Sequence, residues 1–245
     1  MPLSITTHRL RLVAVAVIAA CLIESLARLG GAIASVIVIA SAAALFVWSG
    51  KARHGQEMFP LSWRWSWTVL IPFIQIAENC IFVCKAGRFD IFPHISLVLF
   101  LYGIAVGLIE ECSLRGYAFM RAEQESPMAV VMLSTLGFSL GHLAGLMFDR
   151  PAGTAVLLAI TAIPSGIVWG TMRLATRGIC WPALTHSFLD ASGLLATVFR
   201  PHHSTAGRSA ILFGLSNLVL PLLLLLFHPA LRRKRIAAEA LIHQA

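Results

Sequence analysis

The chain has 245 residues, of which 58% are hydrophobic and 12% are charged, and its mean hydropathy is +0.82. This composition excludes an ordinary soluble domain and is typical of a polytopic membrane protein. A net charge of +8 would favour nucleic-acid binding in a soluble protein. Here the basic residues cluster at the ends of apolar segments, without interleaved aromatic side chains, so we expect no nucleic-acid partner.

About eight apolar segments approach the ~20 residues that one bilayer crossing requires. They predict an all-α, polytopic helix bundle that forms a single integral membrane domain over residues 1–245. The predicted spans are Leu10–Ala27, Gly31–Trp48, Trp67–Val83, His94–Ser113, Met128–Phe148, Thr154–Leu174, Trp181–Phe199 and Ser209–Phe227. Trp63, Trp65 and Trp67 precede or begin the third span and are typical of an aromatic belt at the membrane interface.

The distribution of basic residues predicts the orientation of the chain. With eight spans, 13 of the 19 Lys and Arg residues fall on one side of the membrane, including the run Arg232–Arg235 after the last span. The positive-inside rule then places the N- and C-termini in the cytoplasm. We expect an integral protein of the bacterial inner (plasma) membrane, with the polybasic run lying on the lipid head groups of the bilayer.

Two adjacent carboxylates, Glu110 and Glu111, end the apolar fourth span. A charge in hydrocarbon costs at least ~2.5–3.5 kcal/mol, so such residues usually have a function. Glu111 and Arg115 are four residues apart and can pair on one helix face, whereas Glu110 points about a quarter turn away, where it could face a cavity. Gly103 and Gly107 form a small-residue face that lets another helix approach closely. The alternative is that both glutamates simply mark the helix end at the interface.

Two further polar groups lie in other apolar segments. His142 follows Phe138 by four residues in the fifth span, and Asp190 follows His186 by four residues in the seventh. Taken alone, His142 could be a hydrogen-bonded core residue. His186 and Asp190 could be a polar pair that holds helices together. We predict that the side chains of Glu110, His142, His186 and Asp190 converge on one cavity between the fourth, fifth and seventh spans.

These groups together supply the chemistry for hydrolysing an amide without a covalent intermediate. A desolvated carboxylate can take a proton from water, and one imidazole can hold that water. A second imidazole with a further donor can stabilise the developing oxyanion. Neither a Gly-x-Ser-x-Gly turn nor a His-Glu-x-x-His zinc motif occurs in the sequence.

The order Glu-Glu-x-x-x-Arg, Phe-x-x-x-His and His-x-x-x-Asp, over Tyr102–Gly193, resembles the CPBP family (CAAX protease and bacteriocin-processing, or Abi) of glutamic intramembrane proteases. The resemblance implies a protease core over about residues 94–199. It also implies that Glu110 activates water with help from His142, and that His186 and Asp190 form the oxyanion site. The residues in supporting roles would be Glu111, Arg115 and Phe138.

One position departs from the family pattern, because CAAX-processing members typically have Asn where this chain has Asp190. A carboxyl group can donate a hydrogen bond only if it is protonated, which a buried site permits. Asp190 therefore either donates to the oxyanion or orients His186. The sequence leaves both roles open.

The expected activity is cleavage of a membrane-associated peptide or protein, either CAAX-type or a leader or sorting peptide, with no cofactor and no metal ion. One alternative is a metal-dependent membrane hydrolase, because Glu, His and Asp side chains are all possible ligands. Another is a non-enzymatic transporter or immunity-type protein. Gln75, Glu78 and Asn79 in the third span could line the same cavity or form hydrogen bonds between helices, and we favour the second role.

Overall fold

The computed structural model describes residues 61–86, 93–116, 126–148, 151–199 and 215–232. Every regular element in these ranges is helical and no strand occurs among them, so the all-α prediction is confirmed there. The main helices are α1 (Leu70–Ala86), α2 (Pro93–Glu111), α3 (Pro127–His142), α4 (Ala152–Thr176), α5 (Cys180–Phe199), α6 (Leu220–Phe227) and α7 (Pro229–Arg232). Short turns extend four of them: Trp67–Val69 before α1, Cys112–Gly116 after α2, Leu143–Phe148 after α3 and Leu215–Val219 before α6.

Three helical segments are long and apolar enough to cross a membrane, namely Trp67–Lys85, Leu97–Gly116 and Ala152–Thr176. Shorter apolar helices cover Pro127–His142 and Asn217–Phe227. These helices support an integral membrane protein, but the described ranges do not establish eight spans. The first two predicted spans, Leu10–Ala27 and Gly31–Trp48, lie outside the described residues.

The predicted fifth span, Met128–Phe148, is helical throughout but is divided into an α-helix and a 3₁₀ segment. Ser126 caps α3 by accepting a hydrogen bond from the backbone N–H of Ala129 (3.2 Å), and Pro127 occupies the first turn, where its missing N–H costs nothing. The α-helix ends at His142, and the chain continues as a tighter 3₁₀ turn. Glycines flank that end, and glycine lowers helical propensity. His142 is therefore the last residue of α3 and does not lie in the middle of a longer α-helix.

Among the described helices, α2 and α5 pack against each other most extensively. A Cβ atom built on Gly103 would lie 2.5 Å from Ala191 Cα, so only glycine permits this approach. Ser187 donates a hydrogen bond from its hydroxyl to the Ile104 carbonyl across the same contact (2.9 Å). The predicted small-residue face on α2 is thus occupied by the backbone of α5.

Two further contacts complete the surroundings of α5. Helix α1 packs on α5, where Asn79 Nδ2 donates to Ser192 Oγ (3.1 Å), as expected for a hydrogen bond between helices. Helix α4 packs extensively on α3 and also contacts α5. The largest buried apolar cluster comprises Val69, Ile71, Leu114, Phe138, Ala162, Val168, Trp169, Met172 and Leu224.

Candidate functional site

Glu111 lies at the centre of a buried hydrogen-bonded cluster that joins α2 to α5. Its Oε1 atom accepts a hydrogen bond from Arg115 Nη1 (2.9 Å) and another from His186 Nδ1 (2.8 Å). All three side chains are almost completely inaccessible to solvent. Arg115 also approaches the Gly166 carbonyl of α4 through Nη2 (3.5 Å). The carboxylate therefore compensates a buried guanidinium and fixes one nitrogen of the imidazole.

The other nitrogen of His186 faces two carboxyl groups. Its Nε2 atom lies 3.3 Å from Glu110 Oε2 and 3.6 Å from Asp190 Oδ2. The side chains of Glu110 and Asp190 are 17% and 30% exposed, whereas Glu111 is fully buried. The two adjacent glutamates thus occupy different environments: Glu110 can be reached from outside and Glu111 cannot.

The tautomer of His186 follows from these contacts. Glu111 already accepts from Arg115 with the same oxygen, so it is an acceptor toward His186, and Nδ1 carries a proton. In the neutral ring, Nε2 would then have only a lone pair to present to Glu110 and Asp190. A stable arrangement requires one proton on this side, either on Nε2 or on one of the two carboxyl groups.

His142 lies beside this cluster and is oriented by its own helix. Its Nδ1 atom is 2.9 Å from the Phe138 carbonyl oxygen. A carbonyl can only accept, so Nδ1 donates, and Nε2 of the neutral ring is a hydrogen-bond acceptor. The ligand atoms of Glu110, His186 and Asp190 lie within 4.8 Å of one another, and His142 is not part of that group. The structure thus brings three of the four predicted catalytic residues into direct proximity.

Phe138 contacts the rings of both His142 and His186. Its ring meets the His142 ring edge to face, with centroids 4.7 Å apart, and meets the His186 ring in the same way at 5.5 Å. The Arg115 guanidinium carbon lies 4.8 Å from the Phe138 ring centroid. Phe138 therefore contacts side chains from all three sequence motifs.

Trp169 of α4 is a neighbour that the sequence analysis did not identify. Its indole stacks on the His186 imidazole with a centroid separation of 3.6 Å and an interplanar angle of 14°. A tryptophan in an apolar helix has the pattern of an ordinary core residue, which is why it was missed. The sequence carries only a weak signal here, the charged residue Arg173 four positions later in the same helix, which the structure buries.

The same three residues that converge around Nε2 could hold a metal ion. Glu110, His186 and Asp190 each offer one ligand atom, and three protein ligands with one open position are typical of catalytic zinc sites. The hydrogen bond from His186 Nδ1 to Glu111 is also the kind of contact that orients a metal-binding imidazole.

Comparison with known proteins indicates a family for the part of the chain that carries the site. Residues 92–192 match the family model described as type II CAAX prenyl endopeptidase Rce1-like. This match supports the CPBP/CAAX protease family. The matched range includes all seven predicted site residues and the helices that carry them, from α2 to the first part of α5. No curated protein and no solved structure matches the chain.

Proposed function

We propose that this protein is an intramembrane glutamic endopeptidase that hydrolyses a peptide bond of a membrane-associated substrate without a metal ion. The family is one of proteases, which supports hydrolytic activity. The observation that carries the proposal is the proximity of Glu110, His186 and Asp190 in a partly accessible site beside a buried Glu111–Arg115 ion pair. Carboxylates and imidazoles in this setting are suited to general acid–base chemistry.

In the proposed reaction, Glu110 is the general base. A water molecule gives one proton to a Glu110 oxygen while its own oxygen attacks the carbonyl carbon of the substrate. The carbon–nitrogen bond then breaks, and the proton held by Glu110 passes to the leaving nitrogen. His142 assists by accepting a hydrogen bond at Nε2 from the other O–H of the water, and that hydrogen stays on the attacking oxygen. The products are a carboxylic acid and an amine, and Glu110 returns to its ionised form.

His186 and Asp190 stabilise the oxyanion in this proposal. Because Nδ1 of His186 already donates a hydrogen bond to Glu111, only Nε2 is available to donate to the substrate oxygen. That donation requires a proton on Nε2 in addition to the proton on Nδ1. Asp190 then contributes a second hydrogen bond from its protonated carboxyl group. The His186 imidazole is held in place by its surroundings, namely Glu111, Arg115 and Phe138. These residues affect the reaction only by positioning His186.

The family description points to one substrate class. A type II CAAX prenyl endopeptidase acts, by its name, on prenylated chains that end in a CAAX sequence. We therefore propose a lipidated C-terminal peptide as the first substrate to test, and a leader or sorting peptide as the second. We also propose that the protein resides in the bacterial inner membrane with both termini in the cytoplasm.

The test is cleavage of a farnesylated, fluorogenic CAAX peptide by the protein in lipid nanodiscs. Wild type should cleave it, and Glu110→Gln should lose almost all of the rate, because a general acid–base group typically contributes ~10²–10⁴-fold. Glu78→Gln is the matched control, since it makes the same change on α1 outside the cluster. Rapid cleavage by folded Glu110→Gln would refute the glutamate mechanism. A wild-type protein that cleaves neither substrate class would favour the non-enzymatic alternative.

A metal-dependent hydrolase is the second candidate, and the convergence of three ligand atoms favours it. The two functions differ in their response to metal removal. The glutamic peptidase should retain its rate after treatment with EDTA or phenanthroline and should contain no stoichiometric metal after purification. Loss of activity on chelation, with recovery on adding zinc, would establish the metal-dependent function instead.

A further inference from the structure

The His186 imidazole is held on one face by an aromatic ring that belongs to a different helix. Trp169 is 3% exposed and lies nearly parallel to the imidazole, with ring centroids 3.6 Å apart. The Phe138 ring meets His186 edge to face at 5.5 Å and meets Trp169 in the same way at 5.9 Å. Three rings from α3, α4 and α5 therefore form one packed unit.

Hydrogen bonding alone does not determine where the reactive side of the imidazole points. The bond from Nδ1 to Glu111 fixes one atom of the ring, but the ring can still rotate about that contact. Such a rotation would carry Nε2 away from Glu110 and Asp190, which lie 3.3 Å and 3.6 Å from it. A second restraint is needed to fix the plane of the ring, and the stacked indole supplies one.

We propose that Trp169 is a positioning residue that fixes the plane of the His186 imidazole, so that Nε2 remains directed at the reacting groups. This role rests on the proposed function, because it acts through His186. It requires an aromatic face against the imidazole and differs from core packing in general.

The same indole also borders a small cavity between α1 and α4, whose lining includes Gln75 and Ser165. Replacing Trp169 with a smaller side chain would enlarge this cavity, so a loss of stability alone could lower activity. The experiment must therefore separate positioning from packing. It does so with one variant that keeps an aromatic face and one that removes it.

The kinetic test compares Trp169→Phe with Trp169→Leu, using the farnesylated fluorogenic peptide in nanodiscs. Trp169→Leu should lower kcat by about tenfold or more while KM changes little, because misplacing a catalytic group by ~1 Å can cost 10²-fold in rate. Trp169→Phe should recover most of the kcat. Trp181→Leu is the matched control, because it removes an indole of α5 that contacts Trp63 and Trp65 edge to face. It should change stability without a selective fall in kcat.

A second readout does not depend on activity. In histidine-labelled protein, the ring protons of His186, assigned through His186→Gln, should be shifted upfield in the NMR spectrum by the indole ring current. Trp169→Leu should abolish that shift, whereas Trp181→Leu should preserve it. Normal kcat in Trp169→Leu, or no upfield shift in wild type, would overturn the positioning role and leave the peptidase proposal standing. A wild type that shows the shift but cleaves neither substrate class would instead refute the proposed function, and the positioning role with it.

Discussion

Gly107 of α2 lies directly against the backbone of Ser187, the residue that follows His186 in α5. A Cβ atom on Gly107 would be 2.6 Å from Ser187 N, a separation that real Cβ atoms essentially never show. The glycine therefore sets how closely the two helices approach. Because Glu110 is three residues after Gly107, this contact also sets the distance between Glu110 and His186.

We predict that Gly107→Ala lowers the cleavage rate by about 10²-fold, because the added methyl group must push α2 and α5 apart by a distance of order 1 Å. Gly153→Ala is the control, since a Cβ atom there would meet nothing within 4 Å at the start of α4. That variant should be as active as wild type and equally stable or slightly more so. Rates should be measured beside thermal unfolding. A wild-type rate in Gly107→Ala would show that this contact does not control the site.

The two adjacent glutamates should respond differently to alanine substitution. Glu110→Ala should abolish cleavage with a small effect on stability, because its side chain is partly exposed and is the proposed base. Glu111→Ala should unfold at a distinctly lower temperature, because it leaves the buried Arg115 without its carboxylate, a loss that typically costs ~3–5 kcal/mol. Equal and mild effects in both variants would mean that the pair only marks a helix end.

Asp190→Asn tests the role of Asp190, which stands where CAAX-processing family members typically have Asn. We expect this variant to retain activity or to gain it, because asparagine keeps a donor near the oxyanion, whereas an ionised carboxylate would destabilise the developing charge. Asp190→Ala, which removes the donor, should be much slower. The measurement is the cleavage rate against pH for wild type and both variants. An Asp190→Asn protein that is folded but inactive at every pH would instead identify Asp190 as the group that orients His186.

The orientation of the chain can be tested without a substrate. A reporter fused after Ala245 should be active only in a cytoplasmic format, because 13 of the 19 Lys and Arg residues fall on one side in the eight-span topology. A fusion before Met1 should behave in the same way. External activity of both fusions would contradict the orientation, and opposite results from the two fusions would contradict the even number of spans.

The sequence predicted the contacts that depend on helical periodicity. The Glu111–Arg115 pair and the close approach at Gly103 both follow from residues three or four positions apart, and the structure has both. The bond between Glu111 and His186 was not predictable, because it joins residues 75 positions apart and depends on how α2 and α5 are rotated against each other.

Two other features escaped sequence reasoning for different reasons. The end of α3 at His142 was missed because the apolar pattern continues through Phe148, and hydropathy does not report a change from an α-helix to a 3₁₀ turn. Trp169 was missed because an aromatic residue in an apolar helix is usually core, and only the observed stacking on His186 distinguishes it.

The bond between Glu111 and His186 has a consequence for biosynthesis. Proteins are made from the N-terminus, and α5 is the last of the four helices that contribute to the cluster. Glu111 and Arg115 therefore enter the membrane as a pair, before His186 exists. The two carboxyl groups and His186 Nε2 cannot meet until residue 190 has been synthesised and α5 has packed against α2. The nascent chain thus holds no assembled site while its earlier helices are being inserted.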